Sequence, residues 1–389
     1  MEDFAPSVIG KTKTNVVEFK DRIRAAGGKV EYLYDPNRGI ATQISGTGFI
    51  AMYLIAVSLD GRRLLSTVPA TGIGQMAVYP KPSILTFIQS DEQGMWGRNC
   101  PACQKYFRTN HIMGLTTCPY CSVMDDSLAF ISKAQQTYIT ACYDAFARAY
   151  NGKRNTSVDA AEITDNVAAW HYSEEKLQTH FKCETKDCHA ETDILGNYGF
   201  CPRCGRSNSR KFFFERMAEM LTRWNEVDQK VSDRQKRQES WEKMTIDSLS
   251  EFEAIARHLR AKFLLFPLTP LRRKRMMHLN FQKPFETDAL LIQWFDIGFL
   301  KWRGDKLTPS REIPEIEFPF IKKMVQRRHI ITHTGGIVDE DYLNLSGDTQ
   351  ARLGERIRVR SKEAKRFIED CQQMGANLID NVENGFAED

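Results

Sequence analysis

The chain has 389 residues, 42% of them hydrophobic and 27% charged, with a formal net charge of +4. That length allows two or three domains with cores of their own, and so mild a charge permits nucleic-acid binding without demanding it. No stretch reaches the ~18 uninterrupted apolar residues of a membrane-spanning helix. The most apolar run, Phe49 to Val57, is too short, and the N-terminal MEDFAPSVIGKTK lacks the apolar core of a signal peptide. The expectation is a soluble, cytoplasmic protein with no membrane partner.

Residues 13–26 read as a short amphipathic helix stopped by Gly27 and Gly28. Five β-rich runs follow, KVEYLYD, GIATQIS, FIAMYLIAVS, RRLLSTV and SILTFIQS, separated by turn residues such as DPNRG and LDGR. They predict a small β-rich (α+β) N-terminal domain over residues 1–92, whose role the residues do not disclose. A helical pattern follows between residues 127 and 178, in SLAFISKAQQTYITACYDAFARAY.

Eight of the ten cysteines fall into two tight groups. Cys100 and Cys103 form CPAC, and Cys118 and Cys121 form CPYC, 14 residues further on. The second group is Cys183, Cys188, Cys201 and Cys204, the last two in CPRC. With no export signal, such pairs point to metal rather than to disulfides. Two residues between thiolates let both sulfurs converge on one ion, and two pairs close a tetrahedron of the kind zinc prefers. His180 and His189 lie close enough to ligate, but four sulfurs already suffice, so both are expected to be spectators. Both groups resemble zinc ribbons, placed at 93–126 and 179–210. A closed four-thiolate site leaves no open position, so two structural zinc ions are expected, with none for catalysis. Such modules serve either as scaffolding or as a grip on nucleic acid or a regulatory protein. Cys142 and Cys371 stand alone in helical patterns and read as buried small hydrophobes.

From Lys211 to Thr245 a long charged amphipathic helix is expected, with Phe213, Met217, Leu221, Trp224, Val227 and Val231 as its seam. Residues 246–389 read as an all-α domain of four or five helices, including DALLIQWFDIGFLKW and a terminal helix from about Gln350 to Asp380. Arg272, Arg273, Lys274 and Arg275 are the densest basic cluster and a candidate nucleic-acid contact.

In RRHIITHTGGIVDEDYL, Arg328 and His333 are separated by four residues, and His329 directly follows the arginine. Gly335 and Gly336 suit a helix end, and Asp339 suits the cap of another short helix. Basic residues in a helix's last turn are favoured by the macrodipole, so the stretch has a purely structural reading. It also has a chemical one. Histidine moves protons near neutral pH and arginine holds phosphate. Five residues of α-helix turn Arg328 about 140° away from His333, so one straight helix does not aim both at one atom, whereas two copies could.

The arginine, polar residue, three residues and histidine, set late in an all-α domain, resemble the HEPN superfamily. The resemblance covers roughly residues 245–385. It implies a homodimer joined through the C-terminal domain and an endoribonuclease leaving 2′,3′-cyclic phosphate and 5′-hydroxyl ends. Carried over, Arg328 would bind the phosphate, His333 would transfer a proton and His329 would orient the pair. Toxins and antiviral-defence effectors are frequent in that superfamily, and some members have lost activity. The competing expectation is a non-catalytic zinc-ribbon scaffold that binds nucleic acid or protein and carries a degenerate HEPN domain.

Overall fold

A computed structural model describes residues 29–45, 52–61, 63–69, 80–90, 94–159, 178–263, 300–303, 306–309 and 318–383. The helix expected at 13–26 and the basic cluster Arg272–Arg275 lie outside them. The chain divides into two compact units, Met1–Asn208 and Ser209–Asp389. Among the described residues, no helix is long and apolar enough to cross a membrane.

The first unit opens with the five expected strands: β1 (Lys29–Asp35), β2 (Gly39–Ser45), β3 (Met52–Ser58), β4 (Leu64–Pro69) and β5 (Ser83–Gln89). The β1–β2 turn is set by Asp35, whose carboxylate accepts from the N–H groups of Asn37 (2.7 Å) and Arg38 (3.0 Å), and by Gly39 at φ +86°. Strand β3 is central in the order β4-β3-β5 and buries Leu54, Ile55, Ala56 and Val57 in succession, which explains its unbroken apolar run. Next come β6 (Trp96–Asn99), β7 (Tyr106–Thr109), β8 (Leu115–Thr117) and β9 (Met124–Asp126).

Helix α1 (Lys133–Gly152) starts at a capping box in which the Ser132 hydroxyl accepts from Gln135 N–H and the Gln135 side chain returns to Ser132 N–H. Its apolar face, Tyr138, Ile139, Cys142, Ala145 and Ala149, joins a core with Val30 and Tyr32 of β1, Ile55 and Val57 of β3, and Ile88 of β5. Strand β10 (Thr156–Asp159) then pairs antiparallel with β1, giving the order β10-β1-β2. The sequence placed this helix in an insert between two ribbons; in the fold it completes the N-terminal core. Cys142 is buried there, as its apolar neighbours suggested, and burial pushes its thiol up to about 11. Strands β11 (Gln178–Lys182) and β12 (Glu191–Leu195) complete the unit.

In the second unit, α2 (Ser209–Lys230) and α3 (Arg234–Phe263) replace the single helix expected over 211–245. Asp233 breaks the run by capping α3, its carboxylate accepting from Gln235 N–H (2.8 Å) and Lys236 N–H (3.0 Å). A hairpin of β13 (Leu300–Arg303) and β14 (Lys306–Pro309) follows. The helix expected through Trp302 is therefore corrected at Leu300–Trp302, and the unit is not purely helical; cross-strand pairing there overrides a helical spacing that rested on apolar residues alone. Helices α4 (Phe318–Thr334), α5 (Glu340–Ser346) and α6 (Ser361–Glu383) complete it.

Helix α6 buries Ala364, Phe367, Ile368, Cys371, Met374, Leu378 and Ile379, a three-and-four spacing that makes it the axis against which α2 and α3 pack. The amphipathic seam of α2 is thus satisfied within its own unit: Phe213 and Met217 are buried, and the Trp224 indole donates to Ser361 O (3.0 Å). The terminal helix starts at Ser361 rather than near Gln350. Residues 354–357 instead bond back onto the segment after α4, through Val338 N–H to Glu355 O and Gly354 N–H to Val338 O, both 2.9 Å.

Candidate metal centres and the arginine–histidine helix

Cys100 and Cys103 sit in the turn of the β6–β7 hairpin, and Cys183 and Cys188 in the turn of the β11–β12 hairpin. Cys100 N–H donates to Lys105 O and Gln104 N–H returns to Cys100 O, both 3.0 Å. The same closure recurs at Cys118 with Val123 and Ser122, and at Cys201 with Arg206 and Gly205. The residue after each second cysteine takes positive φ: Gln104 (61°), Ser122 (55°), His189 (50°) and Gly205 (71°). Only the last is a glycine, so the turn tolerates the left-handed cost of an ordinary side chain at the other three.

Each cysteine quartet closes on itself. The sulfurs of Cys100 and Cys121 are 3.6 Å apart, and those of Cys103 and Cys118 are 3.7 Å apart. Cys183–Cys204 and Cys188–Cys201 are both 3.5 Å. Within each group all four ligand atoms lie within 4.8 Å of one another. A disulfide needs about 2.05 Å. A tetrahedral zinc with bonds of about 2.3 Å sets its sulfurs about 3.8 Å apart. The donor set and its spacing therefore fit a metal ion, and both quartets could hold one. Thiols this close share protons: hydrogen bonding from Cys100, then from Cys118 and Cys121, pulls Cys103 well below its usual value, while Cys100 and Cys103 push Cys118 up. The histidines stand aside. His180 Nδ1 is 2.7 Å from Asp193 Oδ1, and that contact raises the imidazole's pKa; His189 is exposed.

The two quartets belong to one body. Strand β12 pairs with β7, Asp193 opposite Arg108, making a four-stranded sheet in the order β11-β12-β7-β6. The two second knuckles exchange hydrogen bonds: Thr117 N–H to Pro202 O (2.7 Å) and Phe200 N–H to Pro119 O (2.9 Å). In each exchange the residue before one knuckle's first cysteine donates to the proline after the other's. Tyr120, between Cys118 and Cys121, donates to Tyr106 O (2.7 Å) and accepts from Leu195 N–H (2.9 Å), bridging both halves. Under the shared sheet, the fully buried Asp193 carboxylate lies 3.4 Å from Arg108 Nε and holds His180. The sequence reads as two separate ribbons, 93–126 and 179–210, with 52 residues between them; pairing of β7 with β12 makes them a double ribbon.

In the second unit, α4 points Arg327 and Arg328 in different directions and carries His329 and His333 one turn apart. Arg327 is buried, with Nη2 2.9 Å from Asp348, Nη1 2.8 Å from Glu363 and Nε 3.3 Å from the Tyr342 hydroxyl. Burial opposes its charge, yet the bonds to Asp348 and Tyr342 and the charge of Glu363 raise its pKa. Burial pushes the Tyr342 phenol up to about 12. Against the same upward push, Arg327 and Tyr342 hold Asp348 below its ordinary value. Neither this arginine nor its partners was singled out from the sequence; the partners lie 15, 21 and 36 residues away, too far for a local pattern to connect.

Arg328 points elsewhere, toward Glu253 of α3 at 3.7 Å, with a quarter of its side chain exposed. His329 and His333 are both exposed one turn apart, with ring centroids 4.7 Å from each other. The structure thus brings the two histidines together and directs Arg328 to another face, as the 140° rotation anticipates. Gly335 (φ +65°) and Gly336 (φ +83°) end the helix, and Gly336 N–H reaches back to Ile330 O at 2.9 Å. Asp339 caps α5 as its position suggested, accepting from Tyr342 N–H at 2.7 Å. Comparison with protein-family models, curated proteins and solved structures finds no match to this chain.

Proposed function

We propose that the second unit is a metal-independent endoribonuclease of the HEPN type, acting as a homodimer, and that the double ribbon holds two structural zinc ions. The observation that carries the reading is the exposed His329–His333 pair, one turn apart on the helix that also carries the quarter-exposed Arg328. Arg327 is spent on the buried ion pairs, which leaves Arg328 as the phosphate-binding candidate. In this reading the RNA supplies its own nucleophile. A histidine takes the proton of the 2′-hydroxyl as that oxygen attacks phosphorus. Arg328 stabilises the charge that builds on the phosphoryl oxygens. The 5′-oxygen leaves and takes up a proton, giving a 2′,3′-cyclic phosphate and a 5′-hydroxyl. Arg328 and His333 diverge on one helix, so arginine and histidine meet on one phosphate when two α4 helices face each other across a dimer axis. The toxin or antiviral-defence role that attends this superfamily comes with the reading.

The zinc assignment follows from the all-thiolate donor set and its tetrahedral spacing. When bound, the ions supply cross-links that hold a module with little core of its own. Eight cysteines placed to bind metal rather than paired as disulfides support a reducing, cytoplasmic location.

A second reading, a non-catalytic binding scaffold, is favoured by the Arg328–Glu253 contact, which partly neutralises the phosphate ligand. Incubation of purified chain with RNA, followed by analysis of the product ends, separates the two. The nuclease reading expects cyclic-phosphate ends and a loss of 10²-fold or more in rate for His333→Ala. Equal cleavage by parent and His333→Ala would refute it, and intact RNA throughout would leave the scaffold.

A further inference from the structure

Between α5 and α6 the chain runs without helix, and its burial alternates. Arg356, Arg358 and Arg360 are exposed, while Ile357 and Val359 are buried. Alternation of that kind is the signature of extended chain, in which residues two apart share a side and are separated by about 6.6 Å. From Arg352 to Arg366 there are seven basic and two acidic side chains. One of the two acids, Glu363, is already engaged by Arg327 and Lys323. The row is fixed to the end of α4: Ile357 N–H donates to Gly336 O at 2.8 Å, three residues past His333.

Helix α3 relates this row to the candidate catalytic arginine. Glu242 pairs with Arg356 at 3.5 Å and Glu253 with Arg328 at 3.7 Å. Eleven residues of α-helix are three turns within about 20°, a rise of about 16 Å. Arg356 and Arg328 therefore lie along one face of α3, a few nucleotides apart.

We propose that Arg356, Arg358 and Arg360 form a track for the sugar-phosphate backbone of single-stranded RNA, leading along α3 to Arg328 and the two histidines. The step between alternate arginines matches that between successive phosphates of an extended strand, and planar guanidinium forks suit phosphate oxygens. A lipid surface would be met by apolar side chains beside the basic ones, and here Ile357 and Val359 point inward. The choice of RNA rests on the nuclease reading; the phosphate track rests on the row itself.

The test uses the full chain carrying His333→Ala, so that binding is read without cleavage. The probe is a fluorescein-labelled oligouridylate titrated over a range of salt concentrations. Removing two phosphate contacts from a single strand lowers the slope of log affinity against log salt by about 1.4. Arg358→Ala/Arg360→Ala is expected to show that change, with binding about tenfold weaker at low salt. Arg38→Ala/Arg154→Ala, which removes two exposed charges from the first unit, is expected to leave the slope unchanged. An unchanged slope in the track variant, or an equal loss in the control, would overturn the proposal. So would displacement of the RNA by an equal concentration of polyglutamate, which would assign the row to acidic polypeptide. A chain that binds through the row yet leaves RNA intact when His333 is present retains the track and refutes the nuclease.

Discussion

Replacing Arg327 by alanine removes the cation from a site where it meets Asp348 at 2.9 Å, Glu363 at 2.8 Å and the Tyr342 hydroxyl at 3.3 Å. Its side chain is 9% exposed and that of Asp348 6%. The variant leaves the buried Asp348 carboxylate without its counter-charge and Glu363 with Lys323 alone, at 3.6 Å. Breaking a buried pair in this way costs about 3–5 kcal/mol. For a unit of this size each kcal/mol moves the melting temperature by about 2–4 °C, so a drop of roughly 6–20 °C is expected in thermal unfolding followed by circular dichroism. The neighbouring Arg328→Ala loses one partly exposed 3.7 Å contact with Glu253 and is expected to cost under about 1 kcal/mol. Loss of RNA cleavage in Arg327→Ala then reports folding, and loss in Arg328→Ala reports chemistry. The pH dependence follows from Asp348, whose folded value is held below the ordinary one. Its contribution is fully present above the unfolded value of about 3.9 and is lost as pH falls through the lower, folded value. The gap between parent and Arg327→Ala should therefore narrow in acid. A melting temperature for Arg327→Ala within about 2 °C of the parent at neutral pH would refute the reasoning.

Because the second knuckles exchange hydrogen bonds and the hairpins share a sheet, Cys118→Ala is expected to lower zinc content in both quartets. Metal analysis of the purified chain reads this directly, and retention of one full equivalent would show the sites to be independent. Gly375 lies in α6 where an added Cβ would run into the buried Phe213 ring. Gly375→Ala is expected to destabilise by about 1–3 kcal/mol in urea unfolding, although alanine is the better helix former.

The parts legible in the sequence are those that short-range physics determines. The five N-terminal strands follow from apolar runs between turn residues, and each forms where expected. The eight cysteines announce their quartets because a tetrahedral ion needs four thiolates at knuckle spacing. The stop of α4 at Gly335 and the Asp339 cap are visible because caps are local. The RIRVR alternation was equally readable, but a basic row gains meaning only when the two residues between its arginines are known to be buried.

What required tertiary structure is every choice between neighbours in space. Two arginines adjacent in sequence receive opposite fates, since α5, α6 and the Asp348 turn close over Arg327 while Arg328 faces α3. Two ribbons become one body because β12 adds to the edge of β7, a pairing across more than eighty residues that no local pattern encodes. Local propensity and ligand spacing act over a few residues. Sheet pairing and buried charge are settled by whichever partners the folded chain brings within hydrogen-bond reach.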